Sequence, residues 1–125
     1  MNLSHRFPRR LIISKPGLFK EVRDKGFHRR GELMDIYARR SEKVTSTFGF
    51  TTSRQLKKAV ERNRARRLMR EAVRLNRHRI AEGWEIILAW RVGIKDVGYI
   101  RAEKEILTLL EKFGILQITS QEGGL

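Results

Sequence analysis

The chain has 125 residues with 28 Lys and Arg against 14 Asp and Glu, a formal charge of +14, a pI near 11.2 and 40% hydrophobic residues, which fits one domain (1–125) with a modest core and a polyanionic partner. No cysteine is present, so disulfides, thiolate catalysis and thiolate metal sites are excluded, and His5, His28 and His78 have no zinc-ligand spacing. No apolar run reaches the length of a membrane span and the N-terminus has no apolar signal core, so a cytoplasmic protein without a membrane partner is expected.

Residues 1–15 are basic and without periodicity. Pro16-Gly17 marks a break, after which Leu18 to Lys25 fits a short helix with Leu18, Phe19 and Val22 as its apolar side and Gly26 as its stop. Residues 33–39 alternate, with Met34, Ile36 and Ala38 on one face and Leu33, Asp35, Tyr37 and Arg39 on the other. After a polar turn at 40–46, the Thr- and Phe-rich stretch 46–53 reads as the partner strand of a hairpin. A long basic helix is expected from about 57 to 78, a mostly buried strand from Trp84 to Val92, and a last amphipathic helix over 100–113 that Gly114 ends. Residues 117–125 read as a frayed tail. This order of helix, strands, helix, strand and helix points to an α/β (α+β) two-layer sandwich with helices on a mixed sheet.

The charge is uneven. Residues 1–40 carry a net +7, residues 54–79 a net +9 and residues 80–125 a net −2. A binding surface therefore belongs to the first two thirds of the chain, and the last third is scaffold. Within 54–79 nine arginines and two lysines face only Glu61 and Glu71. At about 100° per residue, Arg62, Arg66, Arg67, Arg70, Arg74 and Arg77 share an arc with Asn63, while Ala65, Leu68, Met69, Ala72 and Val73 take the opposite one. A merely solvated face mixes signs, and this one does not. The excess of Arg over Lys suits bidentate phosphate contact.

The stretch 58–71, KAVERNRARRLMRE, carries Ala59, Val60, Arg62, Asn63, Arg64, Arg66, Arg67, Arg70 and Glu71 at the spacing A-V-x-R-N-R-x-[KR]-R-x-x-R-E. It resembles the signature of the bacterial ribonuclease P protein subunit. Phe19 and Gly26 are similar to the Phe and Gly of that family's first-helix pattern, Tyr37 to its strand-end aromatic, and Ser53-Arg54 to its Ser-Lys ahead of the helix. Arg23 stands where the family usually has a second Phe, Lys57 where it has Gly, and Gln55 where Lys is common.

The resemblance implies a ribosomal-protein-like fold: a mixed four-stranded sheet with three helices and a left-handed βαβ crossover into the basic helix. It implies a subunit that binds a catalytic RNA and the single-stranded 5′ leader of precursor tRNA, helping the endonucleolytic removal that leaves the mature 5′ end. It places the chemistry on the RNA and on Mg2+ bound mainly by the RNA, with no cofactor on the protein alone. The RNA-binding candidates are Arg54, Arg62, Asn63, Arg64, Arg66, Arg67 and Arg70, which the resemblance selects, with Arg74 from the same basic arc; the leader candidates are Phe19 and Tyr37, which the resemblance also selects, and Phe48, an aromatic of the same basic region.

The residues agree with that division. The acids are scattered singly and the histidines are unpaired, so no catalytic or metal constellation is expected. Asp35, an acid on a strand, reads as a salt-bridge partner. Single-stranded RNA is held by charge plus stacking aromatics; Phe19, Tyr37, Phe48 and Phe50 lie in the basic two thirds, with core as the competing role, and core is expected for Trp84 and Trp90. Two other classes remain from composition alone: a ribosomal or other structural RNA-binding protein, and a DNA-binding module. Base readout needs Asn or Gln beside Arg, and a nearly pure Arg face fits phosphate contact instead, so DNA is not the expected partner.

Overall fold

The computed structural model describes residues 7–117. Of the expected segments, the first six residues of the basic N-terminal stretch and the tail beyond Gln117 lie outside it.

A 3-10 turn at Arg9–Leu11 is followed by α1 (Pro16–Lys25), β1 (Phe27–Arg30), β2 (Met34–Arg40), β3 (Thr47–Thr52), α2 (Ala59–Asn76), a second 3-10 turn at Arg77–Arg79, β4 (Trp84–Trp90) and α3 (Tyr99–Phe113). The four strands form one mixed sheet in the order β1-β2-β4-β3, with β1, β2 and β4 antiparallel and β3 parallel to β4. The sheet and three helices are as expected, with ends shifted by one or two residues.

Two expectations change. β2 and β3 are not a hairpin: β4 lies between them, and β3 reaches β4 through the α2 crossover. The apolar run Ile86-Ile87-Leu88 is buried on both faces, and burial on both faces is a property of a central strand. β1 was not anticipated. Its residues, Phe-His-Arg-Arg, are all exposed and show no inward side; the strand forms by pairing with the edge of β2, Phe27 opposite Ala38 and Arg30 opposite Asp35.

Strand alternation sorts the core. Met34, Ile36, Ala38, Ile86, Leu88 and Trp90 pack toward Ala65, Met69, Ala72 and Val73 of α2 and Ala102, Ile106, Leu109 and Leu110 of α3. The indole N–H of Trp90, fully buried, donates to the Val92 carbonyl at 2.8 Å. On the other sheet face, α1 covers a smaller cluster of Ile13, Val22 and Ile87, with Leu18, Phe19 and Tyr37 against it. α1 starts on Pro16, whose fixed φ suits the first helical position. It ends at Gly26, where a Cβ would sit 2.5 Å from the Val22 carbonyl oxygen and 2.8 Å from that of Ala38; only glycine lets the helix end pass so close to β2. Gly114, at φ 79°, closes α3 in the left-handed conformation.

The segment before α1 is more ordered than its sequence suggests. Leu11 is buried, Ile12 bridges Phe48 in parallel, and the Ile13 N–H donates to the Phe48 carbonyl at 2.7 Å. Phe7 sets its ring edge-on to Phe48 and Phe50, with centroids 5.7 and 5.5 Å away.

Candidate nucleic-acid interface

Burial of Ala65, Met69, Ala72, Val73 and Asn76 fixes the rotation of α2 and aims the opposite side outward. Asn63, Arg64, Arg67 and Arg70 are exposed there, and Arg54 is exposed in the turn that enters the helix. The basic arc is narrower than the sequence reading made it. Arg62 and Arg66 lie at its flank, half-buried, because they fall on the border of the buried side. Arg62 Nη1 donates to the Leu56 and Lys57 carbonyls at 2.9 and 2.8 Å, tying the entry turn to the helix. Arg64 reaches the Val97 carbonyl at 3.3 Å. Arg74 pairs with Glu71 at 2.6 Å, one turn along the helix.

Arg67, Arg70 and Arg74 also wall a groove of about 550 Å3, together with Glu71 and with Phe7, Pro8, Arg9 and Ile12 of the N-terminal segment. Docking that segment on β3 thus sets Arg9 beside the helix face, an assignment the sequence offered no way to make. The groove combines guanidinium forks with an apolar wall.

The second surface is the sheet face under α1. Register places His28, Tyr37, Ile87 and Gly49 in one row across the sheet, and Arg30, Asp35, Ala89 and Thr51 in the next. The tip of the Phe19 ring lies against Gly49, where a Cβ would be 2.6 Å away. His28 and Tyr37 stack, with centroids 4.5 Å apart and planes 8° from parallel. Asp35, nearly buried, accepts from Arg91 Nε at 3.0 Å and faces His28 Nε2 at 3.5 Å. It is the salt-bridge partner expected from sequence, and Arg91 continues from it to the Gly31 carbonyl. Burial and then the Asp35 carboxylate push the Tyr37 phenol up, while Arg23, Arg30 and Arg91 pull it down. Those three cations therefore share the field around the ring, and Arg23 supplies charge where a second phenylalanine was expected.

The structure brings Phe19 and Tyr37 to one sheet face, both packed against the Ile13, Val22 and Ile87 cluster, and removes Phe48 from it. Phe48 is 1% exposed, points to the opposite sheet face and packs under Phe7, so its ring has no surface to offer a base. Its role is core. Phe50 is half-buried on the same side. Trp90 is core as expected; Trp84 is half-buried and carries the Arg40 guanidinium 5.1 Å above its ring. His28 was missed as a cleft residue, since nothing in the sequence shows that β1 pairs with β2.

Among the described residues no group of three His, Cys, Asp or Glu side chains is placed to hold a metal ion. Asp35 and Glu85, the two nearly buried carboxylates, are committed to Arg91 and Arg39. No helix among the described residues is long and apolar enough to cross a membrane.

Fold and surfaces together define a small basic α+β protein with an arginine-faced helix on one side of its sheet and aromatic rings among cations on the other. Comparison with known proteins narrows the class. The family model for Ribonuclease P matches residues 7–114. A ribonuclease P protein component of Clostridioides difficile is 32% identical over 110 residues, covering 87% of this chain and 96% of that one. One of Pelotomaculum thermopropionicum is 43% identical over 65 residues, 52% of this chain and 58% of that one. The solved RNase P protein of Staphylococcus aureus superposes with a TM-score of 0.77 at 22% identity, over 86% of this chain and 98% of its own, a likeness of fold. The chain belongs to the ribonuclease P protein family.

Proposed function

We propose that this chain is the protein subunit of a ribonuclease P holoenzyme and works by holding two RNAs at once. The exposed arginine side of α2 and the groove beside Arg9 hold the backbone of the catalytic RNA. The cleft between α1 and the sheet holds the single-stranded 5′ leader of precursor tRNA. The observation that carries this reading is the separation of the two surfaces: guanidinium groups with few aromatics on α2, and stacked rings with scattered cations across the sheet.

The two surfaces suit different work. Phosphate contacts from Arg54, Arg64, Arg67 and Arg70 fix register without reading bases. In the cleft, a base stacks on an aromatic ring regardless of its identity, while Arg23, Arg30 and Arg91 neutralise the backbone beside it. Bond cleavage belongs to the RNA subunit and the magnesium that it binds. The protein's part is to raise the affinity for a substrate that still carries its leader. Mature tRNA, lacking one, makes no cleft contacts and leaves.

The test is reconstitution. Catalytic RNA, protein, or both together are incubated with precursor tRNA at low magnesium. Cleavage at the mature 5′ end is expected with both, and none with RNA-free protein. Magnesium-dependent cleavage by highly purified protein alone would overturn the reading.

A further inference from the structure

A second cationic groove, of about 800 Å3, lies at the β1 edge of the sheet. One wall is a stripe of α3: Arg101, Lys104, Glu105, Thr108, Leu109 and Lys112. The other is Arg30 and the turn at Gly31 and Glu32. Neither the α2 surface nor the aromatic cleft uses the α3 wall. α2 packs over β3 and β4, whereas α3 packs over β1 and β2, so this groove lies over the other half of the sheet from α2.

Four cations line it against two carboxylates, and both carboxylates are already occupied. Glu105 accepts the backbone N–H groups of Glu32, Leu33 and Met34 at 3.1, 2.8 and 2.9 Å. Glu32 pairs with Arg101 at 3.2 Å. Lys104 and Lys112 are exposed and line the groove. Leu109, almost fully buried, supplies an apolar floor. Such a surface takes a flexible polyanion with an apolar component, which is the chemistry of a single-stranded nucleic acid.

Its position selects which strand. Arg30 stands opposite Asp35 in the cleft row, and the same residue lines the groove. A strand leaving the stacked rings across the open edge of β1 meets Arg30 first and the α3 lysines next. We propose that the groove holds the upstream part of the precursor-tRNA leader, extending the cleft into a track that rounds the β1 edge. The proposal rests on the leader reading of the cleft given above.

The experiment measures affinity of the reconstituted holoenzyme for mature tRNA and for precursors with leaders of about four and about twelve nucleotides. Wild-type protein should bind the long-leader substrate several-fold more tightly than the short one. The double variant Lys104→Ala with Lys112→Ala should lose that increment and leave short-leader, mature-tRNA and catalytic-RNA binding unchanged. Its salt slope for the long leader should flatten by roughly 0.7 for each lost contact. Lys104→Glu, with an unchanged melting temperature, should lower long-leader affinity further.

Equal wild-type affinity for the two leaders, or a double variant that keeps the increment, would overturn the proposal. So would weakened assembly, which would assign the groove to the catalytic RNA. If wild type gains from the long leader but does not distinguish the short leader from mature tRNA, the cleft reading fails and the groove stands.

Discussion

His28 and Tyr37 face each other across β1 and β2 and stack 4.5 Å apart, 8° from parallel. The pair divides one function between two residues. Tyr37 is half-buried, packed against the cluster of Ile13, Val22 and Ile87 with one face against His28. His28 is exposed and presents the outer face of the stack. Under the proposed leader binding, an incoming base meets imidazole first, with phenol as its backing.

Alanine at either position should separate these roles. His28→Ala should weaken precursor-tRNA binding by about 1–3 kcal/mol, the worth of one stacking contact, with mature-tRNA binding and melting temperature unchanged. Tyr37→Ala and Phe19→Ala should weaken precursor binding and also lower the melting temperature, since both rings pack against the smaller cluster. Equal losses for precursor and mature tRNA would remove all three from the leader surface.

Phe48→Ala should behave as a core deletion. A buried phenylalanine truncated to alanine costs about 3–5 kcal/mol, and Phe7 and Ile12 lose their anchor on β3. Denaturant unfolding should show the loss. At temperatures where the variant stays folded, affinities for all RNAs should fall together or not at all.

The turn between β1 and β2 depends on one carboxylate. Glu105 gathers three backbone N–H groups there, and a Cβ on Gly31 would lie 2.5 Å from its Oε2. Glu105→Gln should cost about 1–3 kcal/mol, because an amide nitrogen replaces one accepting oxygen. Gly31→Ala should displace the carboxylate and destabilise similarly. The midpoint of urea unfolding measures both; an unchanged midpoint would mean that the turn holds without Glu105.

Tyr99 sets a limit at high pH. Burial, then its hydrogen bond to Glu103 at 2.9 Å, pushes the phenol up to about 12, against about 10 for an unfolded tyrosine. A raised pKa means that the unfolded chain loses this proton first. The contribution is complete below pH ~10 and disappears as pH rises through ~12. Stability measured across that window should fall, and Tyr99→Phe should remove this part of the fall. An identical pH profile for the variant would contradict the assignment.

How much of this the sequence carried depended on where each element's partner lies. α2 and α3 were legible because burial imposes its period on their residues, and β4 because burial on both faces makes it a continuous apolar run. The role of Asp35 was legible for a similar reason: a strand acid needs a cation. β1 was invisible because Phe27 to Arg30 bury nothing, and without β1 neither the His28–Tyr37 stack nor the groove at Arg30 can be drawn. The false hairpin came from nearness in sequence; the burial of Ile86 to Leu88 on both faces reserves the centre of the sheet for β4. Phe48 was misplaced although a signal existed: Phe48 and Phe50 alternate with Gly49 and Thr51, so both rings point away from the cleft. The exposed arginine face is narrower than the helical arc suggests, because Arg62 is spent on the Leu56 and Lys57 carbonyls.

Under the proposed function, the outward arginines of α2 bind RNA through its phosphates. Arg67 and Arg70 test it most directly, since both are exposed and both wall the groove beside Arg9. The measurement is the salt dependence of assembly with the catalytic RNA, for wild type and for Arg67→Ala with Arg70→Ala. Each lost phosphate contact should reduce the slope of log K against log salt by roughly 0.7–0.9, so the double variant should bind more weakly and more flatly, with its melting temperature preserved. A slope equal to that of wild type would contradict the claim.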